Sequence, residues 1–193
     1  MKKIFAFIAA AFMAISVSAQ SEAGSFTLQP NVGFTYSTAT GDGGKSVDGA
    51  FGLTAGVEGM YMVNDQFGAA FGLNYTGYNV SKTFLKEDVI YSNYYFNIPV
   101  TANYYVIPGL ALKAGVALNI LSTAKVDGES EAGNVKFKDF YKSTFVSIPV
   151  GASYEINDFV FNLRYNFGVS NIQKGDDVDG SFNALTFTVG YKF

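Results

Sequence analysis

From Tyr94 to Ile120 hydrophobicity alternates with a period of two, breaks once at Ile107-Pro108-Gly109, and resumes in the same manner. Two strands joined by a tight turn account for that pattern, because successive side chains of a strand point to opposite faces. On the first arm Tyr94, Phe96, Ile98, Val100, Ala102 and Tyr104 share one face, while Tyr95, Asn97, Pro99, Thr101, Asn103 and Tyr105 share the other. On the second arm Leu110, Leu112, Ala114, Val116, Leu118 and Ile120 oppose Lys113, Gly115, Ala117 and Asn119. Each arm runs about 10 residues or more, the length a tilted strand needs to cross a bilayer. The second face, with its amides, glycine and lysine, is unfit for lipid, so the hairpin reads as a wall with one apolar and one wet side.

The same pattern recurs along the chain and predicts eight strands, at 26–37, 51–63, 67–79, 91–106, 110–121, 143–156, 159–170 and 182–193. Each carries an apolar set in register, such as Phe67, Ala69, Phe71, Leu73 and Tyr75, or Leu185, Phe187, Val189, Tyr191 and Phe193. Asn64-Asp65-Gln66, Ile107-Pro108-Gly109 and Asn157-Asp158 have the residues of tight turns. The other connections, 38–50, 80–90, 122–142 and 171–181, read as longer polar loops. Long and short connections alternate strictly, which is the order of an up-and-down barrel with short periplasmic turns and long external loops. The fold class expected is therefore all-β, an eight-stranded antiparallel up-and-down transmembrane β-barrel. Asn97-Ile98-Pro99-Val100 is echoed by Ser147-Ile148-Pro149-Val150, and both prolines read as bulges, since proline inside a strand marks an edge or a bulge and a closed barrel has no edge.

Met1-Lys2-Lys3, the apolar run Ile4 to Ile15 and the small residues Ser16 to Ala19 have the three regions of a secretory signal peptide. Cleavage after Ala19 divides the chain into a leader, 1–19, and one barrel domain, 20–193. Without Lys2 and Lys3 there remain 11 basic side chains against 16 acidic ones, a formal charge of −5, which argues against a nucleic-acid partner. The chain has no cysteine and no histidine, so thiol chemistry, thiolate metal sites and the usual general base are excluded. No catalytic residue, metal ligand or cofactor is expected. Aromatic content of 17% beside 15% charge is unusual for a soluble secreted domain.

An eight-stranded barrel has an interior just wide enough to be filled by side chains. The glycines on the wet face, among them Gly33, Gly56, Gly72, Gly115, Gly151 and Gly190, are expected to offset large inward groups opposite them. The inward charges Glu58, Lys113, Glu155 and Arg164 are expected to form a balanced structural cluster, because buried charge is tolerable only when paired. Gly41-Asp42-Gly43-Gly44-Lys45-Ser46 resembles the end of a phosphate-binding loop, but position 39 is Ala39 and no helix follows. Asp176-Asp177-Val178-Asp179-Gly180 is either a solvated acidic loop or a weak divalent-cation site, without the spacing of an EF-hand. The longest loop, 122–142, carries Phe137, Phe140 and Tyr141 among mixed charges and is the expected partner-binding surface. Aromatic residues gather near both ends of the strands, as at the two lipid interfaces of a barrel.

The leader, the eight strands, the Ile-Pro-Val element and the aromatic C-terminus resemble the small outer-membrane β-barrel proteins of Gram-negative bacteria. The likeness is to the PorT-like group and, more loosely, to the eight-stranded OmpX/OmpA-type barrels. That resemblance implies location in the outer membrane, contact with its lipid and lipopolysaccharide, and insertion by the barrel-assembly machinery, with Tyr191 and Phe193 as the assembly signal. It implies no single biochemical activity. The expected role is structural or surface-interacting, carried by four external loops that meet an extracellular partner, with no open pore. An outer-membrane lipid-modifying enzyme and a soluble lipocalin-like carrier are the alternatives; the carrier requires polar outward faces.

Overall fold

Alternating residues close the chain into a tube. The computed structural model describes residues 23–41, 47–84, 87–127, 142–172 and 180–193. The leader, the stretch 42–46, Phe137, Phe140, Tyr141 and Asp176 to Asp179 lie outside the described residues. The described residues form nine strands: β1 (Phe26–Gly41), β2 (Asp48–Met62), β3 (Phe67–Gly77), β4 (Val80–Phe84), β5 (Glu87–Ile107), β6 (Leu110–Asp127), β7 (Thr144–Ile156), β8 (Phe159–Gly168) and β9 (Gly180–Tyr191). All neighbours are antiparallel, and the order β1-β9-β8-β7-β6-β5-β3-β2 closes through the β1–β2 pairing. Short β4 continues the line of β3 past Tyr78 and Asn79, pairing with β5 and β2 as β3 does. The wall therefore has eight staves, and closure leaves no free edge along it. At the seam Phe193 N donates to Leu28 O at 2.9 Å and Leu28 N to Phe193 O at 3.2 Å.

Three tight turns set the registers. Asn64 Oδ1 accepts from the amides of Gln66 and Phe67, each at 2.9 Å, which locks the β2–β3 turn as an Asx-type turn. Pro108-Gly109 places Gly109 at φ 83°, the backbone state for which glycine has no Cβ penalty. In the β7–β8 turn Asn157 adopts φ 54°, which asparagine tolerates better than most residues.

Period-two alternation puts the apolar set outside. Phe51, Leu53, Phe71, Val116, Leu163 and Val169 are each about half exposed or more, whereas Asn74, Asn97, Asn103, Asn119 and Thr186 on the other face are buried. A soluble carrier reverses that arrangement, so the lipocalin-like alternative fails.

Three expectations need correction. The segment 80–90 is not a long loop, since β4 and β5 pair from Val80↔Tyr91 to Phe84↔Glu87. Pro99 and Pro149 cause no register shift. Instead the β3–β5 ladder is interrupted between Phe71↔Val100 and Asn74↔Asn97, and the β6–β7 ladder between Ala114↔Val150 and Ala117↔Ser147, as follows from a residue without an N–H to donate. The real irregularities in the β5–β6 pairing lie at Tyr94/Tyr95 and Tyr105/Ile107. Finally, the inward glycines divide: Gly190 and Gly68 make room for the side chains of Gln29 and of Met60 and Met62, whereas others yield to the backbone of the neighbouring strand. A Cβ on Gly33 would stand 1.9 Å from Phe187 O, and one on Gly115 would stand 2.0 Å from Val100 O. On the concave side of so narrow a wall, those positions leave no room for a side chain.

Candidate functional site

Four layers of side chains fill the described interior. Nearest the short turns, Glu155 on β7 is bonded through Oε2 to Lys192, while its Oε1 accepts from the Tyr105 hydroxyl at 2.7 Å. Met60, Met62, Ala70, Tyr105 and Ala111 pack there as a small apolar group, and Asn103 Nδ2 donates to Met60 Sδ at 2.8 Å.

Above it sits the charge group. Glu58 on β2 bonds Lys113 on β6 through Oε1 and faces Arg164 Nη1 on β8 at 3.4 Å through Oε2. Lys113 Nζ also donates to Asn162 Oδ1 at 3.2 Å. With only 4–6% of each of the three charged residues exposed, this carboxylate with two cations is an interior feature and ties three staves together across the tube. Glu155, the fourth charge singled out from the sequence, stands apart from it with Lys192. Sequence reasoning missed Lys192, although its place between outward Tyr191 and Phe193 assigns it to the inner face.

The third layer is an amide network. Asn119 Oδ1 accepts from Asn97 Nδ2 at 2.7 Å and from the Tyr78 hydroxyl at 3.1 Å, and its Nδ2 donates to Ser147 Oγ at 3.0 Å. The fourth, at the loop end, is aromatic. Tyr78, Tyr95, Phe145 and Phe182 pack with Val80, Leu121 and Ile172, with ring centroids 5.0 Å apart for Tyr95–Phe145 and 5.5 Å for Tyr78–Phe145, both nearly perpendicular. Edge-to-face pairs of this kind add about 0.5–1.5 kcal/mol each beyond their burial. Alternation could have revealed this plug, since Phe145 and Phe182 fall opposite the outward sets of their strands. Tyr78 follows the same parity, falling with Ala70, Asn74 and Thr76 on the face opposite outward Phe71, Leu73 and Tyr75.

Outside, aromatic rings mark two levels. Phe67–Tyr104 at 4.8 Å, Phe159–Tyr191 at 5.5 Å and Tyr191–Phe193 at 4.8 Å lie near the turns. Tyr36–Phe51 at 5.0 Å, the stacked pair Tyr75–Tyr94 at 5.2 Å and Tyr165–Phe167 at 4.5 Å lie toward the loops. No described helix is long and apolar enough to cross a membrane, which says nothing against strands that cross it.

A closed antiparallel tube with an apolar outer band, two aromatic levels and a polar interior defines the class of the transmembrane β-barrel. The chain matches the family model of the outer membrane protein β-barrel domain over residues 5–193 and belongs to that family. No curated protein matches it. Among solved structures it is similar to Ail, the attachment invasion locus protein of Yersinia pestis, in complex with the heparin analogue sucrose octasulfate. The TM-score is 0.54 at 16% identity, with 87% of this chain and 99% of that one covered. It is also similar to Neisserial surface protein A, with a TM-score of 0.51 at 17% identity, covering 89% and 100%. These likenesses concern the fold. The protein resides in the outer membrane, with its apolar face against lipid.

Proposed function

We propose that the barrel is a sealed anchor whose work is done at the cell surface by the connections at its loop end, with no solute path through it and no enzymatic activity. The observation that carries this reading is the filled interior: an aromatic layer, an amide network, a buried ion group and a second apolar layer follow one another along the tube. A narrow barrel blocked at successive levels leaves the loop end as the place to meet another molecule. The wall also favours one side of that end. β5 has 21 residues and β6 has 18, against 10 in β8, while about 9–11 suffice to cross the membrane. The surplus carries the loop-side ends of β5 and β6 above the bilayer.

The sulfated ligand bound to Ail is not carried over to this chain, whose formal charge after loss of the leader is −5 and whose external connections carry both signs. The absence of histidine and cysteine supports a non-enzymatic role. Tyr191 and Phe193 serve as the signal read by the barrel-assembly machinery; in support, Phe193 completes the seam with Leu28 and packs on Tyr191.

Photo-crosslinking on intact cells tests the surface role. A photoreactive residue in place of exposed Lys142, on the loop side, is expected to form adducts with another surface molecule. Those adducts disappear when 128–141 is replaced by a four-residue turn. The same probe in place of Asp65, on the turn side, is expected to form none of them. Adducts at 65 with none at 142 contradict the reading.

A further inference from the structure

The ion group in the middle of the barrel does not balance. Glu58 meets two cations, Lys113 and Arg164, while Glu155, the other inward carboxylate, is engaged at the turn end by Lys192 and the Tyr105 hydroxyl. One carboxylate against two cations leaves a charge of −1 + 2 = +1 among side chains that are almost wholly buried. A surplus charge held away from water is costly unless something offsets it. Described side chains close this level on both sides, the rings of Tyr78, Tyr95, Phe145 and Phe182 toward the loops and Met60, Met62 and Tyr105 toward the turns. The offset must therefore lie within the level itself.

The two cations flank one stave. In the ladder Lys113 on β6 faces Gly151 on β7, and Gly151 faces Arg164 on β8, so β7 puts no side chain between them. The next inward residue of β7 toward the turns is Ser153, 2% exposed, whose Oγ has no hydrogen-bond partner among the described residues. Donors exceed acceptors here. An ammonium carries three N–H groups and a guanidinium five. Lys113 uses one on Glu58 and one on Asn162 Oδ1 at 3.2 Å, and Arg164 uses one on Glu58 at 3.4 Å. The remaining N–H groups and the Ser153 O–H call for an acceptor, and the charge calls for a single negative one. Water supplies no charge, and a dianion would overshoot by one.

We propose that the barrel binds a monovalent inorganic anion of the size of chloride over Gly151, held by Lys113, Arg164 and the Ser153 hydroxyl, as a structural ligand enclosed when the wall closes. The ion is small because side chains fill a tube of this width. Charge-assisted hydrogen bonds from two cations are the strong kind, and the anion leaves Glu58 free to hold both of them from the opposite side of the lumen.

Because an enclosed ion exchanges slowly, the protein is refolded from urea into phosphatidylcholine vesicles in sodium chloride, sodium bromide or sodium gluconate at one ionic strength. Unfolding in urea is then followed in the same salt. Chloride and bromide are expected to raise the midpoint above that in gluconate, which is too large to be enclosed. At ten times its dissociation constant the halide multiplies the folded-to-unfolded ratio by about tenfold. Arg164→Met leaves Glu58 and Lys113 as a balanced pair and is expected to abolish the difference between salts. Ser153→Ala keeps every charge and is expected to reduce it. Crystals grown in bromide should show an anomalous peak beside Gly151. Equal midpoints in the three salts overturn the proposal, and are the outcome if a neutral Lys113 balances the group instead. A halide difference that Arg164→Met retains in full is a general salt effect and also overturns it. If Arg164→Met does not assemble, a difference unchanged by Ser153→Ala, or a bromide peak away from Gly151, contradicts the site.

Discussion

Glu58, Lys113 and Arg164 fill the middle of the barrel with charge, whereas Tyr78, Tyr95, Phe145 and Phe182 fill its loop end with rings. Both occupy the same tube, and they differ in how they fail. Each member of the ion group is buried because another neutralises it, so loss of one strands the rest in a medium where unpaired charge is costly. A ring in the plug loses contact area when trimmed, and its neighbours remain tolerable where they are. Charge therefore fixes which staves face each other across the tube, and the aromatic layer closes the remaining space with more tolerance.

The largest effect is expected for Glu58→Gln, which leaves Lys113 and Arg164 without their shared carboxylate. Urea unfolding in lipid vesicles should show a loss of about 3–5 kcal/mol. Replacing Glu58, Lys113 and Arg164 together by apolar residues of similar size should recover most of it, since whole buried ion groups are often replaceable at little net cost. A small effect of Glu58→Gln alone would erase the contrast between the two layers. Lys192→Met, at the turn end, is expected to cost about 1.5–3 kcal/mol, the scale of one charged hydrogen bond; Glu155 keeps the Tyr105 hydroxyl. The smallest effect is expected in the ring layer, where Phe182→Leu should cost about 1 kcal/mol, as hydrophobic exchanges of similar volume do. A loss as large as that of Glu58→Gln would mean that the rings, not the ion group, hold the staves in place.

Much of this architecture was legible because a strand in a membrane wall must alternate strictly, and a single slip would turn its lipid face inward. Phe71, Val116 and Leu163 announce the outside, and Glu58, Lys113 and Arg164 announce the inside. Which inward charges meet was less legible, because contacts across a barrel depend on the stagger of its strands, which no single strand records. Glu155 lies at the level of Lys192 rather than that of Glu58 for this reason. The continuation of the wall through β4 and the start of β5 was hidden too. Lys82, Glu87 and Asp88 read as loop, since a sheet that has left the bilayer needs no apolar face. Pro99 and Pro149 signalled disturbed pairing correctly in kind but not in form, because omitting two ladder pairs accommodates the missing N–H without an added residue.

Current recordings in planar bilayers test most directly whether the layered interior seals the tube. Wild-type protein, inserted and verified as folded by its heat-sensitive mobility, is expected to give no stable conductance steps, because the ion group and the ring layer each block the lumen. Reproducible ohmic steps from that same folded protein would contradict the sealed barrel, and with it the assignment of function to the surface connections alone.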